Sequence, residues 1–365
     1  MKKITKLGLS ALCGSLAVAS AANAGDISVT GSAEITYVTV DGNTTGHPFG
    51  MKSNLGFSGS GELDGGQKVA LTINNTDKSA FSAASIALTT NNVGTFTISN
   101  GSGADLGDYD DKAPTAWEEA WDGGQGATTD KISGVASSTN INWATPVTTG
   151  NIMGGTKLIL AYAPRNNATR QNDKTASGDT GTTGKGLDVI LDLRSGKKLS
   201  GFLGYSTTER HGNDPKGLDH AKPDGNKEEA VIGLNYKLGP FSMGYQHSAE
   251  DLKAQGSGTS FENDMYLNKS WGVAMNINGG LSVSYGEATS NQIFTSTTNL
   301  GVSEGTAGAG ANKFTKKRKQ KSKALNAAYT IGGVTAKWSS AETKNAAYSE
   351  GSDKNATLLS LGIAF

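Results

Sequence analysis

Apolar and polar side chains alternate along most of the chain in short runs. A period of two residues is typical of β-strands that have one apolar and one polar face. The pattern predicts sixteen strands, at residues 27–40, 51–63, 68–75, 83–90, 95–100, 139–145, 157–163, 187–194, 199–208, 229–238, 241–249, 263–277, 281–288, 323–331, 334–342 and 355–365. We therefore expect an all-β chain.

The connections between these runs are of two kinds, short and long, which alternate along the chain. After every second run comes a tight polar or glycine-rich link, such as Gly239-Pro240 or Gly332-Gly333, with 146–155 as a longer exception. Longer polar segments lie between these links, at 101–138, 164–186, 209–228, 289–322 and 343–354. This alternation predicts a transmembrane antiparallel β-barrel with short turns at one end and long loops at the other. A β-sandwich or a solenoid predicts no such asymmetry.

The first 24 residues have the pattern of a secretory signal peptide. Three lysines precede a short apolar stretch at 7–20, and Ala22-Asn23-Ala24 supplies a cleavage site. We therefore expect residues 1–24 to be cleaved and 25–365 to form a single domain. Cys13, which is the only cysteine, leaves with this leader, so the mature chain would contain no disulfide bond.

The last run ends at the final residue of the chain. Leu361, Ile363 and Phe365 share its apolar parity, whereas Ser360, Gly362 and Ala364 have the other. A terminal strand of this kind resembles the assembly signal of bacterial outer-membrane β-barrels.

The composition agrees with a barrel that has a wet lumen. The 365 residues include 50 glycines, and only 36% are hydrophobic. Such a chain builds a large dry core with difficulty, but a membrane barrel needs apolar residues only on its lipid face. No later stretch approaches the roughly 20 apolar residues of a transmembrane helix. Without its three leader lysines the chain has 30 basic and 33 acidic residues, and this balance suggests no nucleic-acid partner.

The parity of charged residues assigns the two faces. In the run at 187–194, Leu187 and Val189 fall on one parity, and Asp188 and Arg194 on the other. An arginine at the bilayer midplane costs roughly 2–4 kcal/mol, so we expect the charged parity to face the lumen. Aromatic residues fall mostly on the apolar parity near run ends, and this placement predicts interfacial girdles.

The segment 101–138 is the longest and most charged connection, with eight carboxylates and two lysines. Carboxylates in a narrow aqueous constriction raise the local cation concentration, so this segment would give modest cation selectivity. A solvated external loop or a Ca²⁺ site are the alternatives. The candidate constriction residues are Asp105, Asp108, Asp110, Asp111, Glu118, Glu119 and Asp122.

In its strand number, its alternating connections and its acidic third long connection, the chain resembles the trimeric general (diffusion) porins of Gram-negative bacteria. The resemblance implies that this loop folds into the lumen and faces basic side chains on the wall. Lumen parity gives five basic wall candidates, Lys52, Lys68, Arg194, Lys237 and Lys337. Lys52, Arg194 and Lys337 are the preferred ones, because Lys68 and Lys237 are better explained as solvated side chains near a turn. The resemblance also implies a homotrimer, to which small outward residues such as Val29 and Ala33 are suited. It further implies Sec export to the outer membrane and contact with the barrel-assembly machinery, outer-membrane lipid, lipopolysaccharide and small hydrophilic solutes.

Residues 313–323, K-F-T-K-K-R-K-Q-K-S-K, form the strongest charge run. Because the pattern places this run in the long connection before the fourteenth strand, we expect it outside the cell. It would lie near anionic lipopolysaccharide or at the pore mouth, and a solvated loop is the alternative.

The sequence offers little for catalysis. Its four histidines are scattered, without metal-ligand spacing or a Ser-His-Asp arrangement. We therefore expect no enzymatic activity and no cofactor. The predicted function is a porin for passive diffusion of ions and small hydrophilic solutes. A substrate-selective outer-membrane nutrient channel and a secreted or surface β-rich adhesin remain as alternatives.

Overall fold

A computed structural model shows a closed barrel of antiparallel strands. The structure describes residues 23–24, 27–41, 48–77, 83–101, 104–135, 139–147, 155–165, 183–196, 198–210, 225–252, 262–296 and 314–364. The sixteen long strands in these residues are β1 (Ser28–Val40), β2 (Phe49–Glu62), β3 (Lys68–Thr76), β4 (Ala83–Thr90), β5 (Gly94–Asn100), β6 (Thr139–Ala144), β7 (Gly155–Ala163), β8 (Thr183–Ser195), β9 (Leu199–Arg210), β10 (Lys227–Leu238), β11 (Phe241–Asp251), β12 (Glu262–Asn276), β13 (Leu281–Ser296), β14 (Phe314–Ile331), β15 (Val334–Lys344) and β16 (Lys354–Ala364).

Each strand pairs with the next one in the chain, and β16 pairs with β1 to close the sheet. At this seam Leu359 lies opposite Tyr37, and Ile363 lies opposite Ala33. Closure gives every strand two neighbours, so the backbone hydrogen bonds are satisfied without water. The predicted sixteen-stranded barrel is confirmed. No helix among the described residues is long and apolar enough to cross a bilayer.

The two predicted terminal signals fall largely outside the described residues. Of the leader, only Asn23–Ala24 is described, as a two-residue strand paired with Gly61 and Glu62 of β2. Phe365 is not among the described residues, whereas Leu361 and Ile363 lie on the outer face of β16, both exposed. Cleavage after Ala24 and the role of Phe365 stay predictions.

The outer face is apolar, as the parity predicts. Leu187, Val189 and Leu203 are exposed on this face, whereas Asp188 on the opposite parity is fully buried inside the barrel. Outward aromatic rings meet across neighbouring strands, with ring centroids 5.2 Å apart for Tyr37 and Phe49 on β1 and β2. Such pairs are the interfacial girdles of a membrane barrel.

The prediction that residues 313–323 form a loop is wrong from Phe314 onward, because β13 and β14 extend to 16 and 18 residues. Ser322 on the inner face of β14 shares a hydrogen bond of 2.7 Å with Thr343 of β15. Lys317, Lys319 and Lys321 alternate with it and are exposed on the outer face. Above the membrane both faces of a strand are polar, so hydrophobic alternation gives no signal there.

Candidate pore constriction

The segment 101–138, which we call the inner loop, lies inside the barrel as predicted. Its described residues, 104–135, contact the inner face of the wall from β7 to β16. The loop leaves β5, follows this wall as far as Leu358 on β16, and returns to β8, where Val135 donates to Asp188. It therefore narrows the lumen from one side.

The start of the inner loop is held by an apolar cluster. Leu106 is fully buried against Ile190 of β8, Phe202 of β9 and Val231 of β10. These three wall residues are on the lumen parity, where a wet channel wall would carry polar side chains. Burial of Leu106 removes all of its apolar surface from water, which stabilises the docked loop.

Glycines on the inner wall allow the loop to come this close. A β-carbon at Gly204 of β9 would overlap with the Leu106 side chain. Farther along the loop, a β-carbon at Gly272 of β12 would overlap with the carbonyl oxygen of Pro114. Only glycine leaves room for a backbone at this separation.

Two wall carboxylates hold both ends of the inner loop. Asp188 Oδ2 accepts hydrogen bonds from the backbone N–H groups of Leu106 (2.9 Å) and Val135 (3.1 Å). Glu229 of β10 accepts from the N–H groups of Ser133 (2.7 Å) and Gly134 (3.2 Å). Because a hydrogen bond to a charged group is stronger than a neutral one, these contacts fix the loop where it enters and leaves the lumen.

Neutral amides and hydroxyls hold the middle of the loop through its backbone. Gln246 Nε2 of β11 donates to the carbonyl oxygens of Tyr109 (2.8 Å) and Asp110 (2.7 Å). Ser284 Oγ of β13 accepts from Ala116 N at 2.8 Å, and Asn326 Nδ2 of β14 donates to Glu118 O at 2.9 Å. Since the wall binds the backbone here, the acidic side chains of this stretch keep contact with water.

The seven acidic candidates do not share one environment. Asp105 is fully buried, where it accepts a hydrogen bond of 2.8 Å from Gly107 N at the start of the short 3₁₀ helix Leu106–Tyr109. Burial and the nearby Asp108 raise the pKa of Asp105 to about 8. Asp105 therefore anchors the loop and presents no carboxylate to the open lumen. The side chains that keep partial or full exposure are Asp108, Asp110, Asp111, Glu118, Glu119 and Asp122.

Within this exposed group, one lysine neutralises part of the charge. Lys131 Nζ lies 3.1 Å from Asp110 and 2.8 Å from Asp122. Glu119 has a different environment, because partial burial and then the nearby Asp111 raise the pKa of the Glu119 carboxyl to about 7. Burial likewise raises the pKa of Glu118 above its ordinary value.

The predicted wall cations are distributed around the lumen. Lys337 of β15 forms an ion pair with Glu34 of β1 at 2.9 Å, and its Nζ lies 5.3 Å from the Trp117 ring centre. Arg194 of β8 lies 3.4 Å from Asp192. Lys52 of β2 is exposed and lies opposite Glu34 in the strand register.

A charged cavity of about 790 Å³ lies in the lumen on its turn side, beside the inner loop. Arg194 lines this cavity together with Asp108 of the loop. Lys157 of β7 also lines it and was missed in the sequence, because the apolar Ile159 shares its parity and makes the inward face of this run ambiguous. The other charged residues of the lining are Lys112, Asp192, Lys198 and Lys237.

A Ca²⁺ site is one of the alternatives that the sequence allows for the acidic loop. Among the described residues, no group of three or more histidine, cysteine, aspartate or glutamate side chains is arranged to hold a metal ion. The ion pairs of Lys131 already occupy Asp110 and Asp122.

Comparisons with known proteins agree with this architecture. A solved structure of the outer-membrane protein OmpT of Vibrio cholerae in a trimer form is 10% identical, with a TM-score of 0.59, and the match covers 94% of this chain and 100% of that one. An anion-selective porin from Comamonas acidovorans is 15% identical, with a TM-score of 0.58 and coverages of 93% and 99%. The Salmonella typhi OmpF complex with daunomycin is 13% identical, with a TM-score of 0.59 and coverages of 93% and 98%.

At these identities the solved structures establish the fold alone. A search of curated protein sequences finds no match. The family profile described as Gram-negative porin, however, matches residues 8–303. The chain therefore belongs to the Gram-negative porin family and forms a channel in the bacterial outer membrane.

Proposed function

We propose that this channel carries ions and small hydrophilic solutes by passive diffusion and prefers cations modestly. The observation that supports the preference is the excess of carboxylates on the inner loop. Eight carboxylates and two lysines give its described residues a formal charge of −6, and protonation of the buried Asp105 and partial protonation of Glu119 reduce this excess of negative charge at neutral pH without removing it. Low-dielectric walls focus such a field on the narrow lumen.

Neutralisation of three carboxylates tests this preference. The variant Asp108→Asn/Glu118→Gln/Glu119→Gln keeps side-chain size and deletes charge, and it leaves the ion pairs of Lys131 intact. The reversal potential in a KCl gradient across a planar bilayer should move toward anion preference, with a much smaller change in single-channel conductance. The shift should shrink at 1 M salt, where the Debye length is about 3 Å.

The matched control removes one aspartate and two glutamates outside the inner loop, as Asp64→Asn/Glu228→Gln/Glu350→Gln. Its reversal potential should equal that of the wild-type protein. Equal reversal potentials for all three proteins would mean that the inner loop does not set selectivity.

The cavity on the turn side favours a second candidate, a preference for anions. Five basic side chains, Lys112, Lys157, Arg194, Lys198 and Lys237, line it against two carboxylates, Asp108 and Asp192. If this cavity is the narrowest passage for ions, the wild-type reversal potential will have the anion sign. A nutrient channel specific for one solute is distinguished from a diffusion porin by flux into liposomes. The flux would saturate with solute concentration in a specific channel and rise linearly in a diffusion porin.

The proposed assembly is a homotrimer. The solved OmpT structure described above is in a trimer form, and the outer face of β1 carries the exposed Val29 and Ala33. The nearby strands β3 to β6 are also short, with six to nine residues each. Native mass spectrometry in mild detergent should give three chains per particle, and monomers alone would exclude this assembly.

A further inference from the structure

The connection between β15 and β16, residues 345–353, also folds into the barrel, and we call it the latch. Ala346 and Tyr348 of its short 3₁₀ helix are only 1% and 4% exposed. Asn345 closes the latch on itself, because its N–H donates to Asp353 Oδ1 at 3.1 Å and its Oδ1 accepts from Gly351 N at 3.0 Å. The latch is therefore a compact unit with a buried tyrosine at its centre.

Tyr348 is fixed by the wall. Its hydroxyl shares a hydrogen bond of 2.7 Å with Ser290 Oγ of β13, and Ser290 is itself buried. The Tyr348 ring centre lies 5.3 Å from that of Tyr266 on β12. These two contacts set the position of the hydroxyl, which can accept one further hydrogen bond.

The latch contacts the inner loop at two points of its returning half. The backbone N–H of Ala347 donates to the carbonyl oxygen of Ala127 at 2.9 Å. The backbone N–H of Asp130 donates to the Tyr348 hydroxyl oxygen at 3.1 Å. The latch thus holds both ends of a four-residue stretch of the inner loop.

Backbone strain collects where the two loops meet. Ala347 and Tyr348 of the latch have φ values of 52° and 57°, and Thr128 of the inner loop has a φ of 53°. The left-handed region is unfavourable for residues with a β-carbon, and a β-branched or bulky residue is a clear outlier there. Such strain persists only where surrounding contacts impose it, and it is typical of segments that serve function.

The stretch that the latch holds leads directly into Lys131. Lys131 Nζ lies 2.8 Å from Asp122 and 3.1 Å from Asp110, two of the acidic residues of the inner loop. Because Asp130 precedes Lys131 in the chain, the hydrogen bond from Asp130 N to Tyr348 fixes the backbone from which this lysine reaches both carboxylates.

We propose that Tyr348 is a positioning residue for ion selectivity. The docked latch keeps Lys131 against Asp110 and Asp122 and so limits the number of unpaired carboxylates that attract cations. This inference rests on the proposed role of the inner-loop carboxylates in cation preference. Without the Tyr348 hydroxyl, the partly buried N–H of Asp130 loses its partner, and a buried polar group without a partner is unfavourable.

The test compares Tyr348→Phe with the wild-type protein. Hydrogen exchange of peptides that cover residues 127–131, measured by mass spectrometry in detergent, should accelerate at least about fivefold, because the docked stretch opens more often. The reversal potential in a KCl gradient should move toward stronger cation preference, as Lys131 leaves its two partners. The control is Tyr245→Phe, which removes the same atom from a tyrosine that is 48% exposed on the outer face. Both measurements should then equal those of the wild-type protein.

A double variant separates positioning of Lys131 from a general loosening of the loop. Tyr348→Phe/Lys131→Gln should have the same reversal potential as Lys131→Gln, because no lysine remains to be released. Additive shifts of the two substitutions would mean that Tyr348 acts independently of Lys131, and they would overturn the proposal.

The remaining outcomes distinguish this proposal from the proposed function. Unchanged exchange over residues 127–131 in Tyr348→Phe would overturn the positioning role whatever the selectivity. If Asp108→Asn/Glu118→Gln/Glu119→Gln moves the reversal potential and Tyr348→Phe does not, the positioning role fails while the proposed function stands. If neither variant moves it, the proposed function fails, and faster exchange in Tyr348→Phe would then support only the contact between latch and loop.

Discussion

The apolar anchor of the inner loop makes a quantitative prediction for Leu106→Ala. Leu106 is fully buried between the loop and three wall strands. Truncation of such a leucine removes buried apolar surface and leaves a cavity, because strands in a closed barrel cannot move inward to fill it. Comparable substitutions cost about 2–5 kcal/mol.

This cost falls on the docked loop rather than on the barrel. The strands keep their own hydrogen bonds when the loop lifts from the wall, so the substitution shifts a local opening equilibrium. At the lower limit of about 2 kcal/mol, the undocked population rises about 30-fold. Hydrogen exchange of the backbone amides of Leu106, Gly107 and Val135 should accelerate by that factor, as measured by mass spectrometry in detergent.

The control is Leu203→Ala on β9, which removes the same atoms from the outer face. Leu203 is 45% exposed and contacts lipid or detergent, so its truncation leaves no enclosed cavity. Exchange in the inner loop should then equal that of the wild-type protein. Equal exchange for Leu106→Ala and Leu203→Ala would refute the anchoring role of the apolar cluster.

Three further outcomes follow from the same contacts. Cation preference should fall as the pH is lowered from 8 to 6, because the carboxyl of Glu119, whose pKa is raised to about 7, is protonated below that pH; Glu119→Gln should show a smaller step, the remainder coming from Asp105 and Asp111, whose pKa values are raised to about 8 and about 6. Lys131→Gln should increase cation preference by freeing Asp110 and Asp122, which the reversal potential in a KCl gradient measures. Deletion of Phe365 should reduce the heat-modifiable, folded protein in outer-membrane fractions, and normal levels would contradict its role in assembly.

The positions and faces of the strands were predictable because each strand in the bilayer needs an apolar face toward lipid and a polar face toward the lumen. Outer-face residues within the bilayer, such as Leu187 and Leu361, contact hydrocarbon, so apolar side chains recur there at every second position. This constraint ends at the headgroups. The upper parts of β13 and β14 lie beyond it, so the sequence pattern indicated a loop where Phe314–Ile331 forms a strand.

The environments of individual side chains in the inner loop were less predictable, for a different reason. Acidic residues identified the segment, but the charge count could not separate Asp105, which is buried and caps a turn, from Asp108, which is exposed. Partners of individual charges, such as Lys131 with Asp110, come from contacts between residues far apart in the chain or across a loop. Those contacts have no periodic signature.

A sequence signal for the docked loop nevertheless exists, in exceptions to the alternation. A channel wall that contacts only water is expected to carry polar side chains, yet the large apolar side chains of Ile190, Phe202 and Val231 all face inward. Their cross-strand partners include glycine: Phe202 lies opposite Gly233, and a β-carbon there would overlap with its ring. Inward apolar residues beside inward glycines on three consecutive strands mark a dry surface with room for a backbone. The inner loop covers that surface with Leu106 and Ile132, so the exceptions locate where the inner loop docks.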